Sequence, residues 1–159
     1  MATFQLLLLG LCVTTFLVTE GAPPGFTPAQ WFNEQHVQYP KTRAPSDNVY
    51  CNNEMRRVNQ HLSRCKDINS FLHYPLNDVI MVCFQPNINC THTQRNVTRT
   101  NCHNSTITVP ITRCEWIPRT RPCRYRGRPK QAYFIVACDP PRAADRSRST
   151  LLPVHLDKA

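Results

Sequence analysis

Cys65-Lys66-Asp67-Ile68-Asn69-Ser70-Phe71 is the stretch from which the rest of the chain can be arranged. A half-cystine pins the backbone beside it, so a lysine in the next position cannot wander. The residues that follow, Ile68, Ser70, Phe71 and Leu72, have the β-branched, apolar composition of a half-buried strand. Lys66, Asn69 and Ser70 are therefore expected as polar groups presented from a rigid element.

Whether Cys65 is a half-cystine depends on the compartment. Residues Leu6 to Val18 form an apolar run broken only by Gly10, Cys12, Thr14 and Thr15, and Thr19-Glu20-Gly21 follows with residues suited to a signal peptidase. The expected organisation is a leader over 1–21 and a single secreted, extracellular domain over 22–159. The run is too short for a membrane span, and no later stretch is more apolar. Of nine cysteines, Cys12 goes with the leader. The remaining eight, Cys51, Cys65, Cys83, Cys90, Cys102, Cys114, Cys123 and Cys138, read as four disulfides in an oxidising compartment. Zinc is the competing reading, but none of the gaps is the two-residue spacing of common zinc sites. No metal and no cofactor are expected. Sequons at Asn89, Asn96 and Asn104 agree with secretion.

Glu20 is the leader's only charge, so nineteen basic residues face nine acidic ones in the remainder, a formal charge of +10. That balance favours polyanionic partners: nucleic acid, anionic membrane or sulfated glycan. With four glycines, the chain has no Gly-rich phosphate loop.

Thr27 followed by Pro28 is a helix start, a capping hydroxyl and then proline at the first helical position, and no breaker intervenes until about Gln38. Phe32 and His36 share one face of that helix with Gln35 at its edge. Trp31 and Phe32 are expected in the core. Tyr39 to Asp47 reads as a loop. A second helix is predicted over Val49 to Gln60, with Met55 and Val58 inward and Arg56 and Arg57 outward, and a third over Leu76 to Val82. Thr106 to Val109 alternates as a strand does, Ala132 to Cys138 is an apolar β-branched run, and Leu151 to Leu156 is a final strand. Helices early and strands late give an α+β domain on an antiparallel sheet.

Two histidines and one pinned cation stand out: His36 after Gln35, Lys66 after Cys65, and His155 in Pro153-Val154-His155-Leu156-Asp157. That set matches what RNA cleavage needs. A neutral imidazole takes the 2′-hydroxyl proton, and a protonated one delivers a proton to the departing 5′-oxygen. A fixed lysine stabilises the charge that builds on the phosphoryl oxygens. His61, His73, His92 and His103 carry no motif and read as structural or solvated.

Gln35-His36, Cys65-Lys66 through Asn69-Ser70-Phe71, Val136-Ala137-Cys138 and Pro153 to Asp157, with eight cysteines in register, resemble the pancreatic-type (RNase A) ribonuclease superfamily. The resemblance covers nearly all of Thr27 to Asp157. Trp31-Phe32, Cys138-Asp139-Pro140-Pro141 and the long segment before His155 look most like the eosinophil-type and related host-defence secreted members. It implies three helices packed on a bent antiparallel sheet, with disulfides Cys51–Cys114, Cys65–Cys123, Cys83–Cys138 and Cys90–Cys102; spacing alone leaves about 105 pairings. It implies His36 as general base, His155 as general acid and Lys66 as transition-state cation. Gln35 would contact the phosphate, Asn69 would stand in the substrate-binding set, and Ser70 would select a pyrimidine upstream of the cut. Asn101 would contact the downstream base, and Asp157 would orient His155. A cytosolic ribonuclease inhibitor as a further partner, and a monomeric state, come from the same resemblance.

Three features depart from the family pattern. Ser70 stands where threonine is usual and lacks the methyl that restricts its rotamer. Arg113 occupies a position that is often acidic. Eleven residues, including the Asn96 sequon, separate Cys90 from Cys102. Two functions remain open. One is an endoribonuclease that cleaves single-stranded RNA 3′ of pyrimidines through a 2′,3′-cyclic phosphate, with a host-defence role. The other is a cationic antimicrobial or growth-factor-like protein, binding anionic microbial surfaces or glycans, with weak catalysis. The crowded cations Arg119, Arg121, Arg124, Arg126, Arg128 and Lys130 suit either.

Overall fold

The computed structural model describes residues 21–91 and 99–159. Residues 1–20 of the expected leader, His92 and the Asn96 sequon lie outside them. Helix α1 spans Pro28–His36 and α2 spans Asp47–Asn59; strand β1 spans Ile68–Leu72 and α3 spans Leu76–Val82. Strands β2 (Cys102–Asn104), β3 (Val109–Trp116), β4 (Tyr125–Ala132), β5 (Ile135–Asp139) and β6 (Leu152–Lys158) follow, with a single 3-10 turn at Ala143–Asp145 before the last. Among the described residues no helix is long and apolar enough to cross a membrane.

Local chemistry explains where the helices begin and end. The Thr27 hydroxyl accepts from Gln30 N at 3.0 Å, while Thr27 N donates to Gln30 Oε1 at 2.9 Å, a capping box that satisfies two amides with no partner within the helix. The helix stops at His36, short of the predicted Gln38, because β1 takes the next residues: Val37 bridges Leu72 and Gln38 N donates to Leu72 O at 3.0 Å. Helix α2 starts at Asp47, before the predicted Val49, because Ser46 Oγ accepts from Val49 N at 3.2 Å and Asp47 sits at the positive end of the helix. Met55 and Val58 are buried as expected, but Arg57 does not face outward. Its guanidinium donates to Glu34 O at 2.8 Å and to the Glu34 carboxylate at 2.5 Å, tying α2 to α1.

The strands form two three-stranded antiparallel sheets, β1-β3-β4 and β2-β5-β6. The apolar run from Ala132 to Cys138 is not one strand. Ala132 pairs with Val109 in the first sheet and Ile135 with Asn104 in the second, so the chain changes sheet at Tyr133-Phe134. Phe134 is fully buried at this corner, and Ser105 holds it from both sides: Phe134 N donates to Ser105 Oγ at 3.0 Å, and Ser105 N to Phe134 O at 2.8 Å. The same hydroxyl donates to Ile107 O at 2.9 Å. That local turn displaces the strand predicted over Thr106 to Val109, and β3 begins only at Val109.

Trp31 and Phe32 divide the core between them. Phe32 packs with Leu72, Val79, Ile111 and Val136, and Trp31 with Tyr50, Met55, Val58 and Phe71. Four disulfides, Cys51–Cys114, Cys65–Cys123, Cys83–Cys138 and Cys90–Cys102, join the layers. In the chain-entropy model each of the three long crosslinks contributes about 4 kcal/mol. The outer edge of β4 is covered by α2, where the Asn48 and Asn52 side chains accept from Gly127 N at 2.8 Å and Tyr125 N at 2.7 Å. Two residues one helical turn apart thus satisfy alternate amides of an edge strand.

Candidate active site

Helix α1 lies against both β1 and β6, so its last turn meets the Lys66 stretch on one side and the His155 strand on the other. His36 ends α1 with its ring 5.4 Å from that of Phe32 one turn earlier, and it is buried. Its Nδ1 lies 2.9 Å from Ser70 O in β1. A carbonyl only accepts, so Nδ1 carries the proton and the lone pair is on Nε2. Burial depresses the His36 pKa well below the ordinary histidine value, the neighbouring Lys66 charge adds to this, the Ser70 carbonyl opposes it, and His155 contributes a smaller downward push.

Lys66 is held at both ends. Its backbone N donates to Asn59 Oδ1 at 3.1 Å, and its carbonyl accepts from the Tyr125 hydroxyl at 2.6 Å. Its ammonium donates to Gln35 Oε1 at 2.7 Å and Asn69 Oδ1 at 2.8 Å. Asn69, itself buried, donates through Nδ2 to Gln35 O at 2.7 Å. Gln35, Lys66 and Asn69 therefore form a closed ring of hydrogen bonds beside His36.

His155 is exposed on β6, between two irregularities in its pairing. Ala137 and Val136 face His155 and Leu156, but the register slips by one residue on each side, leaving Val154 and Asp157 as extra residues. Bulges of this kind re-aim side chains. The Asp157 carboxylate is buried and accepts from Thr91 N at 2.8 Å and Thr91 Oγ1 at 2.7 Å. The Lys66 ammonium thus meets the residue before His36 directly, and α1 packs against the strand that carries His155.

Ser70 is buried on β1, directly across from Arg113 on β3 and, beyond it, Arg128 on β4, so the three share one face. Glu115 Oε1 sits 3.1 Å from Arg113 Nε and 3.6 Å from Arg128 Nε. Asn101 donates to Cys138 O and to Asp139 Oδ1, both at 3.1 Å, which fixes it beside β5. Asn89 and Asn104 are exposed. One grouping of possible metal-ligating side chains occurs among the described residues, Cys90, Cys102 and Asp157, and its two sulfurs are bonded to each other. Sequence reading missed Asn59 and Tyr125, which hold the Lys66 backbone and carry no local signal. Thr91, which completes the Asn89 sequon, was missed as well.

Residues 27–157 match the pancreatic ribonuclease family. Human ribonuclease 7 is 40% identical over 154 residues, an alignment covering 96% of this chain and 90% of that protein. Bovine (Bos taurus) ribonuclease K6 is 42% identical over 137 residues, covering 86% and 80%. The crystal structure of a green turtle egg white ribonuclease superposes with a TM-score of 0.65 at 29% identity, covering 84% of this chain and 99% of that one. With a family match over most of its length and relatives this similar, the chain belongs to the pancreatic ribonuclease family and is an endoribonuclease of that type.

Proposed function

We propose that this protein is a secreted endoribonuclease that cuts single-stranded RNA on the 3′ side of pyrimidines by transphosphorylation, leaving a 2′,3′-cyclic phosphate. The observation that carries this reading is the His36 tautomer. With the Nδ1 proton committed to Ser70 O, Nε2 offers its lone pair to a substrate hydroxyl. The depressed pKa keeps that ring neutral, as a general base must be. Lys66, held by Gln35 and Asn69, supplies fixed positive charge where the phosphoryl oxygens become more negative. His155, exposed on β6, delivers the proton to the leaving 5′-oxygen. The strand that positions His36 also carries Ser70, so base selection and proton abstraction share one rigid element. DNA lacks the nucleophilic hydroxyl and is bound without being cut.

The test is cleavage of matched RNA and DNA oligonucleotides by purified protein, with and without EDTA. RNA cleavage that persists in EDTA, with the DNA intact, is expected. Loss of activity in chelator, or equal cutting of DNA, contradicts the mechanism.

A host-defence role is a second reading, favoured by one observation: Arg119, Arg121, Arg124, Arg126, Arg128 and Lys130 are all exposed along β4 and the turn before it. Like charges held on a rigid ribbon raise the local potential and attract polyanions, whether RNA or anionic microbial envelopes.

A further inference from the structure

The Asp157 carboxylate sits in a bulge, buried, two residues after His155. A buried carboxylate must be held by donors. Thr91 provides two of them, and both converge on the same oxygen: Oδ2 accepts the Thr91 amide at 2.8 Å and the Thr91 hydroxyl at 2.7 Å. Thr91 is itself anchored. It follows Cys90, whose sulfur is bonded to Cys102 and whose N donates to Arg99 O at 2.8 Å. The two sulfurs and a carboxylate oxygen of Asp157 lie within 4.8 Å of one another, so the crosslinked corner rests against the carboxylate.

Two donors from one residue do more than neutralise a charge. A single hydrogen bond leaves a carboxylate free to swing about the donor, whereas an N–H and an O–H reaching one oxygen from two directions fix the place of Oδ2, and with Cβ held by the strand that sets the plane of the group. Oδ1 is then aimed by the same contact. We propose that Thr91 is a positioning residue for the reaction, its hydroxyl setting the Asp157 carboxylate in the orientation that supports the His155 imidazolium. This rests on His155 being the general acid and on Asp157 being its carboxylate partner. The amide bond of Thr91 survives any side-chain change, so the hydroxyl supplies the part of the constraint that a substitution can remove.

Thr91 also completes the Asn89 sequon, so the test must separate a missing glycan from a missing hydroxyl. Thr91→Val, Thr91→Ser, Asn89→Gln and His155→Ala would be compared with the wild type for kcat and KM on a dinucleotide and for the pH–rate profile, and the first three also for the His155 ring-proton titration by NMR. The charged groups coupled to this centre, His36 and Lys66, are present in all four variants. Thr91→Val should lower kcat about fivefold with KM unchanged, a fraction of the ~10²- to 10⁴-fold that acid–base catalysis supplies. Its alkaline limb and the His155 titration should move down by roughly half a pH unit, because a misaligned carboxylate stabilises the imidazolium less. Thr91→Ser, which keeps hydroxyl and sequon, and Asn89→Gln should both behave as the wild type. If Thr91→Val retains the wild-type kcat and profile, if serine fails to rescue, or if Asn89→Gln reproduces the loss, the positioning role is overturned. Full activity in His155→Ala would instead overturn the functional reading beneath it.

Discussion

His36 Nδ1 and the Ser70 carbonyl oxygen lie 2.9 Å apart, joining the last residue of α1 to the middle of β1. This contact sets the tautomer of the ring and makes its position depend on the register of the strand. Register in turn is set by pairing with β3, where Ser70 faces Arg113 and Asn69 faces Cys114, itself crosslinked to Cys51 in α2. The His36 ring is therefore placed by the whole first sheet.

The His36 pKa should lie well below the ordinary value of about 6.5 when followed by its ring-proton resonance. Burial is the first cause and the Lys66 charge the second, so Lys66→Met should raise it. An unchanged His36 titration in that variant would show that Lys66 does not act on the ring.

The same shift bears on stability. The folded pKa is lowered, so below about pH 6.5 the unfolded chain binds more protons than the folded one. His36 therefore contributes stability that is present above that pH and is lost as pH falls toward the folded value. Buried His73, also lowered chiefly by desolvation, acts in the same sense. Urea midpoints should fall between pH 7 and pH 5, and fall less in His36→Ala; equal slopes for the two proteins would rule this out.

Asn69→Ala removes an acceptor from the Lys66 ammonium and the donor to Gln35 O. The buried carbonyl left without its partner costs about 1 to 3 kcal/mol. A less firmly held Lys66 ammonium should lower kcat about tenfold with a short substrate, less than the ~10²- to 10³-fold of a removed charge-stabilising group. Ile68→Thr, one residue away but 47% exposed, should change neither quantity appreciably. Similar behaviour of the two variants would mean that the hydrogen-bonded ring is unimportant.

Gly127 needs the absence of a side chain, since an added Cβ would come 2.3 Å from Asp47 O in α2. Gly127→Val should separate α2 from β4 and weaken the Asn48 bond to the strand amide. A loss of roughly 3 kcal/mol is expected, as for other steric and backbone disruptions in a packed site. Thermal melting should show it as a drop of about 10 °C, with the active site unchanged in the cold. A melting point near wild type would mean that α2 yields easily.

Much of the domain could be read from residues because its signals are local. Thr27-Pro28 marks α1, the cysteine count marks the crosslinks, and the Cys65–Phe71 stretch marks β1. What could not be read depends on hydrogen bonds that no residue pattern announces, most of them to partners distant in sequence. Ser105 turns the chain and stops a strand before Val109, Phe134 marks a change of sheet inside an apolar run, and Leu72 ends α1 two residues early. The site followed the same division. His36, Lys66 and His155 stood out by motif, whereas Tyr125, Asn59 and Thr91 reach the site across 59, 7 and 66 residues respectively.

If the exposed cations of β4 follow the RNA backbone, changing Arg119, Arg121, Arg124, Arg126 and Arg128 to glutamine should flatten the salt dependence of binding to a non-cleavable deoxyoligonucleotide. Every arginine that pairs with a phosphate adds about 0.7 to the steepness of log K against log salt for a single strand, and its removal takes that amount away. An unchanged slope would leave those arginines without a role in binding.

The most direct measurement uses a deoxyoligonucleotide containing one ribouridine, with the products identified by mass spectrometry in the first turnovers. A fragment ending in uridine 2′,3′-cyclic phosphate and a second with a free 5′-hydroxyl are expected, formed orders of magnitude more slowly by His36→Ala or His155→Ala. A 5′-phosphate on the downstream fragment, or equal product from the His36→Ala protein, would contradict the assignment of His36 and His155 as the base and acid.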